Sequence, residues 1–110
     1  MERASAKDTS HTERMIRKIE KIKLPVNELL CGLAEECAEL GQAALKLRRA
    51  YDQTNPTPID PDDAYEKLMQ EIADVMVYLD QLPINWTYVG QTKCVKINRW
   101  KDRLTAKEEE

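Results

Sequence analysis

The sequence predicts an all-α fold, an antiparallel helical bundle completed by homo-oligomerisation, on three observations. Apolar residues recur every three or four positions in four segments. Prolines and one polar loop divide those segments, and no alternating strand pattern competes with them. The chain has no phenylalanine and only 5 % aromatic residues, which leaves few large side chains for a monomeric interior and favours a core shared between copies. Its 110 residues make one domain, with 1–10 and 105–110 read as frayed tails.

The elements follow in order. Ser10, His11, Thr12 and Glu13 form a capping-box arrangement opening the first predicted helix, whose apolar positions are Met15, Ile16, Ile19 and Ile22 and which Pro25 ends. His11 reads as an exposed helix-start residue rather than a catalytic base. Asn27 is placed to cap a second, longer helix running to about Tyr51, with Leu29, Leu30, Leu33, Cys37, Leu40, Ala44 and Leu47 as its apolar set. Gly32 and Gly41 lie inside it, each costing about 1 kcal/mol against alanine, which long-range packing or a closely approaching neighbour must offset. Asp52 to Pro61 reads DQTNPTPIDP, a polar loop that cannot continue a helix. Asp60 as N-cap, Pro61 as first helical residue and Asp63 as a first-turn carboxylate start a third helix that reaches about Leu82, before Pro83. The fourth follows Asn85 and carries the stripe Trp86, Val89, Lys93, Ile97, Trp100 and Leu104, which favours core packing over base stacking for both tryptophans.

Composition narrows the function classes. A net charge of −3 with a pI near 5.3 argues against the extended basic surface that binds nucleic acid. With 34 % charged residues, a mean hydropathy of −0.64 and no long uncharged apolar window, no membrane association is expected. The polar stretch Met1 to Ser10 lacks the apolar core of an export signal, so a cytoplasmic location is expected. Cys31, Cys37 and Cys94 lack CxxC spacing, and Cys31 and Cys37 lie about 9 Å apart along one helix on different faces. They read as reduced thiols rather than a disulfide or zinc framework.

The informative residues are acidic. Glu35, Glu36 and Glu39 lie on the second helix, Glu71 and Asp74 on the third. At about 100° per residue, Glu36 stacks under Glu39 and Glu71 under Asp74, so each helix projects a carboxylate pair from one strip. Glu71 shares its face with Ala64, Leu68, Val75, Tyr78 and Leu82, and Glu36 borders Leu29, Leu40, Ala43 and Leu47. An ionised group on such a face needs a compensating cation or hydrogen bonds. Four facing carboxylates repel one another until positive charge is supplied. Oxygen ligation without histidine or thiolate favours Mg²⁺, or Mn²⁺ as a substitute, with positions left for water and phosphate oxygens. A solvated face of ion pairs is the bland alternative for either strip alone.

The stretch Glu35-Glu36-Cys37-Ala38-Glu39, followed after a loop by Glu71-Ile72-Ala73-Asp74, resembles the EExxE and ExxD motifs of the MazG-like all-α nucleoside triphosphate pyrophosphohydrolases. The surrounding LAEECAELGQAALKLRR and EIADVMVYLDQL also look like that family, so the resemblance spans about Asn27 to Arg103. It implies Mg²⁺-dependent hydrolysis of a nucleoside triphosphate, often a deoxynucleotide, between the α and β phosphates, giving the monophosphate and pyrophosphate. By position it makes Glu36, Glu39, Glu71 and Asp74 metal ligands and Glu35 an outer, water-orienting carboxylate, with Glu35, Glu36 and Glu71 as the catalytic set. It places Tyr78 as a substrate contact, a role that competes with core packing, and Lys96, Asn98 and Arg99 in the basic segment that reaches the triphosphate; Lys93 is a weaker candidate. A homodimer or homotetramer is implied. Phosphoribosyl-ATP pyrophosphohydrolase shares the acidic logic and is the rival within the fold. A non-catalytic helical interaction or regulatory module is the rival outside it.

Overall fold

Proline and aspartate set most of the helix boundaries. The computed structural model describes residues 21–109, and these form three helices: α1 (Val26–Asp52), α2 (Pro61–Gln81) and α3 (Trp86–Glu109), with no strand among the described residues. Most of the first predicted helix, His11 included, lies outside the described residues. Its last expected position, Ile22, sits in irregular backbone instead, and its N–H donates to the Gln81 side-chain oxygen at 2.7 Å. That bond ties the entering chain to the end of α2.

Pro25, not Asn27, stands at the N-cap of α1, and no side chain caps it. Its carbonyl accepts from the N–H groups of Glu28 and Leu29, so the helix begins one residue before the asparagine that was expected to start it. At the other end Gln53 adopts the left-handed conformation, φ 58° and ψ 37°, a position usually given to glycine. Its side-chain amide donates to the Ala50 carbonyl at 2.6 Å. Asn55 then accepts from Arg49 Nε at 3.0 Å and donates to the Lys46 carbonyl, folding the loop back on the last turns of α1. Asp60 caps α2 as expected, its carboxylate accepting from the Asp62 N–H at 2.8 Å with Pro61 first in the helix. Asn85 caps α3 by accepting from the Tyr88 N–H at 3.0 Å.

Helices α1 and α2 form an antiparallel hairpin with an apolar layer near each end. Next to the loop, Leu47, Ala50 and Ala64 are buried with Ile59 and Leu68 packed on them. Towards the open end, Leu29, Val75 and Leu82 are buried, each such aliphatic side chain contributing about 1.5 to 3 kcal/mol. The buried line on α1 runs through Leu29, Ala43, Leu47 and Ala50, so the broader apolar set read from the sequence splits. Leu30, Cys37 and Ala44 are exposed. Gly32 answers to a neighbour, because a Cβ there would overlap the Tyr78 ring. Nothing lies within 4 Å of a Cβ placed at Gly41.

Helix α3 packs on neither partner, since none of its Cα atoms comes within 8 Å of α1 or α2. None of its residues is buried. Trp86 and Trp100, expected in the core, are 55 % and 59 % exposed, because among the described residues neither of the other helices packs against the stripe they share. The helix also runs on through 105–109, where a frayed tail was expected. No helix of the described residues is long and apolar enough to cross a membrane.

Gly32→Ala is expected to destabilise the fold despite the gain of about 1 kcal/mol in helix propensity, because the added methyl meets the tyrosine ring. In a Tyr78→Ala background the same substitution should become stabilising. Urea unfolding of the four proteins in this cycle checks the change of sign.

Candidate metal centre

The spacing of three along each helix puts Glu36 beneath Glu39 and Glu71 beneath Asp74, and the packing of α1 on α2 turns the two strips together. Carboxylate oxygens of Glu36, Glu71 and Asp74 all lie within 4.8 Å of one another. Glu71 is the buried member, 4 % exposed, while Glu36 is half-buried and Asp74 exposed. Glu39, exposed one turn further along α1, adds its negative charge to the surroundings of Glu36.

Only one oxygen of the deep carboxylate is compensated. Glu71 Oε1 accepts from Lys67 Nζ at 2.9 Å, one turn back on α2. The other oxygen, Oε2, is buried with no hydrogen-bond partner, and so is Oε2 of Glu36. Leaving such atoms unpaired is unfavourable, the more so when the group is charged. Two orphaned oxygens from facing helices, joined by a third carboxylate, are a donor set suited to a hard divalent cation. Mg²⁺ holds its ligands at about 2.0 to 2.1 Å and keeps several waters, so three carboxylates such as Glu36, Glu71 and Asp74 could hold one such ion.

Burial pushes the Glu36 carboxyl above its ordinary 4.5, and Glu39, Asp74, a hydrogen bond with Glu39 and then Glu71 add to the rise. Lys67 is held above its ordinary 10.5, first by its hydrogen bond to Glu71 and then by that carboxylate's charge. Burial works against this, and Glu39 and Asp74 add to it. The ammonium therefore stays charged beside the acidic cluster.

The structure brings together only part of the sequence-derived site. Glu36, Glu71 and Asp74 converge, with Glu39 beside them. Glu35 is exposed, about 100° around α1 from Glu36, and is not in the converging group. Tyr78 lies one turn beyond Asp74 with its ring over Gly32. Lys96, Asn98 and Arg99 are exposed on α3, and Lys96 lines a shallow surface pocket there with Tyr88, Val89, Thr92 and Lys93; this chain does not carry them to its own carboxylates. Cys31, Cys37 and Cys94 are free and exposed. The residue that sequence reasoning missed is Lys67, whose i, i+4 relation to Glu71 was the available signal.

Comparison with known proteins yields no match: no family model, no curated protein and no solved structure matches the chain.

In metal-free protein the raised Glu36 carboxyl makes stability pH-dependent. The folded state keeps this proton more tightly than the unfolded chain, so the stabilisation is complete below pH 4.5 and is lost as pH rises through the higher folded-state value. Denaturation midpoints in the presence of a chelator should fall across that window, and Glu36→Gln should flatten the fall.

Proposed function

We propose that the chain is a Mg²⁺-dependent nucleoside triphosphate pyrophosphohydrolase of the MazG-like kind, with a deoxynucleoside triphosphate as its substrate. The observation that carries this reading is the buried, unpartnered Glu71 Oε2 within a three-carboxylate group drawn from both helices. A solvated face of ion pairs does not require a carboxylate to be buried with one oxygen unsatisfied. The paired EExxE and ExxD motifs supply the reaction class, and the site's composition agrees with it.

In this reading Glu36, Glu71 and Asp74, with Glu39, hold the divalent ion, which when bound neutralises phosphate charge and makes water a better nucleophile. A water oxygen bonds to the α-phosphorus, and the proton it loses passes to solvent. The bond from that phosphorus to the oxygen bridging to the β-phosphate breaks, and its electron pair leaves with pyrophosphate. Glu35 orients water from outside the metal ligands, and Mn²⁺ substitutes for Mg²⁺. The chain acts in the cytoplasm, on nucleotide rather than nucleic acid.

The functional unit in this reading is a homo-oligomer, a dimer or tetramer. Support comes from the outer faces of the hairpin, where Val26, Leu30 and Leu45 on α1 and Tyr65, Met69 and Met76 on α2 are exposed, and from α3, with Trp86, Val89, Ile97, Trp100 and Leu104 exposed. A second copy covers these side chains and is the route by which Lys96, Asn98 and Arg99 reach a carboxylate cluster. Light scattering on the eluting full-length chain should return at least twice the 12.7 kDa monomer mass. Trp100→Glu should shift the mass toward one copy.

A panel of canonical and modified (deoxy)nucleoside triphosphates and phosphoribosyl-ATP, incubated with Mg²⁺ and scored for pyrophosphate against orthophosphate, tests the activity directly. Pyrophosphate with Mg²⁺ present and none with chelator is the expected result. Glu71→Gln should lower kcat/KM by more than the roughly 100-fold that loss of an outer-shell partner costs, with helical content retained. Saturating Mg²⁺ should raise the melting temperature of the wild type and not of Glu71→Gln. A wild-type protein that melts identically with and without Mg²⁺ and releases no pyrophosphate leaves the acidic strips as packing features of an interaction module.

A further inference from the structure

Between the carboxylate cluster and the interhelical loop, α1 and α2 leave a cleft of about 300 Å³ lined by Glu39, Gln42, Ala43, Lys46, Lys67 and Glu71. Glu39 and Glu71 make it continuous with the acidic strips. Each helix contributes one lysine, and both lie on the loop side of the carboxylates: Lys46 two turns beyond Glu39, Lys67 one turn before Glu71. Lys46 is exposed, with no ion pair among the described residues. The Lys67 side chain is 59 % exposed although its ammonium reaches Glu71.

A nucleoside triphosphate carries up to four negative charges, and a group of carboxylates with bound metal does not by itself neutralise the far end of the phosphate chain. The basic residues that the sequence assigned to that task lie on α3, away from this chain's cluster. The cleft is at the small end of ligand sites, which run from about 300 to 1,000 Å³. That suits a diphosphate group better than a whole nucleotide, and lysine suits phosphate as a mobile point charge.

We propose that this cleft is the seat of the β- and γ-phosphates, held by Lys46 and Lys67, so that the nucleotide lies along the hairpin with its polyphosphate directed to the interhelical loop. The proposal rests on the pyrophosphohydrolase reading. Lys67 has two partners in turn. With the carboxylates unligated it neutralises Glu71. With a divalent cation held by Glu36, Glu71 and Asp74 that charge would be met, and the lysine, exposed along its stem, would be free to turn its ammonium to the phosphate oxygens. The product that stays in the cleft after the bond breaks is pyrophosphate.

The test is titration calorimetry of the full chain with inorganic pyrophosphate and Mg²⁺, together with inhibition of turnover by added pyrophosphate. Lys46→Gln and Lys67→Gln should each weaken pyrophosphate binding about tenfold or more, with the inhibition constant rising in step. Lys67→Arg should retain most of the affinity, and Lys107→Gln, at the far end of α3, should match the wild type. Among the described residues the Lys46 side chain makes no hydrogen bond or ion pair, so its variant stays interpretable if Lys67→Gln unfolds. Unchanged pyrophosphate affinity in Lys46→Gln, in a protein that hydrolyses nucleotide, overturns the cleft assignment and leaves the hydrolase reading intact. Lys46-dependent pyrophosphate binding without turnover of any nucleotide supports the seat and removes the hydrolase reading. Absence of pyrophosphate binding in the wild type overturns the proposal.

Discussion

A carboxylate held almost out of water in the middle of a helical hairpin is the constraint around which this molecule is arranged. Burying ionised Glu71 costs several kcal/mol before any partner is found, and Lys67 relieves only one of its oxygens. The Lys67 ammonium is open to solvent, which screens the pair, so the ion pair offsets little of that cost. The rest of the interface must tolerate the deficit. It does so with apolar layers on both sides: Leu47, Ala50, Ala64, Ile59 and Leu68 toward the loop, Leu29, Val75 and Leu82 toward the open end.

Those layers also explain how four acidic side chains are kept in register. The Asp60 cap and Pro61 fix where α2 begins, and the left-handed Gln53 with its bond to Ala50 fixes where α1 stops. Between them the Asn55 bridges to Arg49 and Lys46 hold the loop to the end of α1. At the other end the Tyr78 ring fits only because position 32 has no Cβ. The carboxylates face one another between these two ends. Side chains on packed helices are held more precisely than side chains on loops, and this cluster draws its carboxylates from both helices.

Among the described residues the hairpin satisfies its inner face and leaves its outer one uncovered. Exposed Leu30, Leu45, Met69 and Met76, and the unpacked α3 with its tryptophans, present the apolar surface that the low aromatic content and lack of phenylalanine foreshadow. In the proposed enzyme this surface and the catalytic cluster are linked, because the basic residues of α3 meet carboxylates only through association. Lys46 and Lys67 differ from them in lying beside the cluster of their own chain.

Much of this was legible in the residues. Spacing of three in Glu36 and Glu39, and again in Glu71 and Asp74, determines that each pair shares a strip, because the angle between residues on a helix is set by its pitch alone. Asp60-Pro61 and Pro83 bound α2 through local chemistry that needs no distant partner, and the apolar neighbours of Glu71 marked it for burial. Tertiary packing decided the rest. Periodicity says which side chains share a face but not how each helix is rotated against its neighbour, so it did not tell that Ala43 is buried and Ala44 exposed, or that Gly32 receives Tyr78 while Gly41 receives nothing. Nor did it tell that α3, with Trp86 and Trp100, packs on neither α1 nor α2. The lysines beside the carboxylates became visible as a pair only once α1 lay against α2, because residues far apart in sequence acquire a common electrostatic environment only when the fold brings them to one cleft.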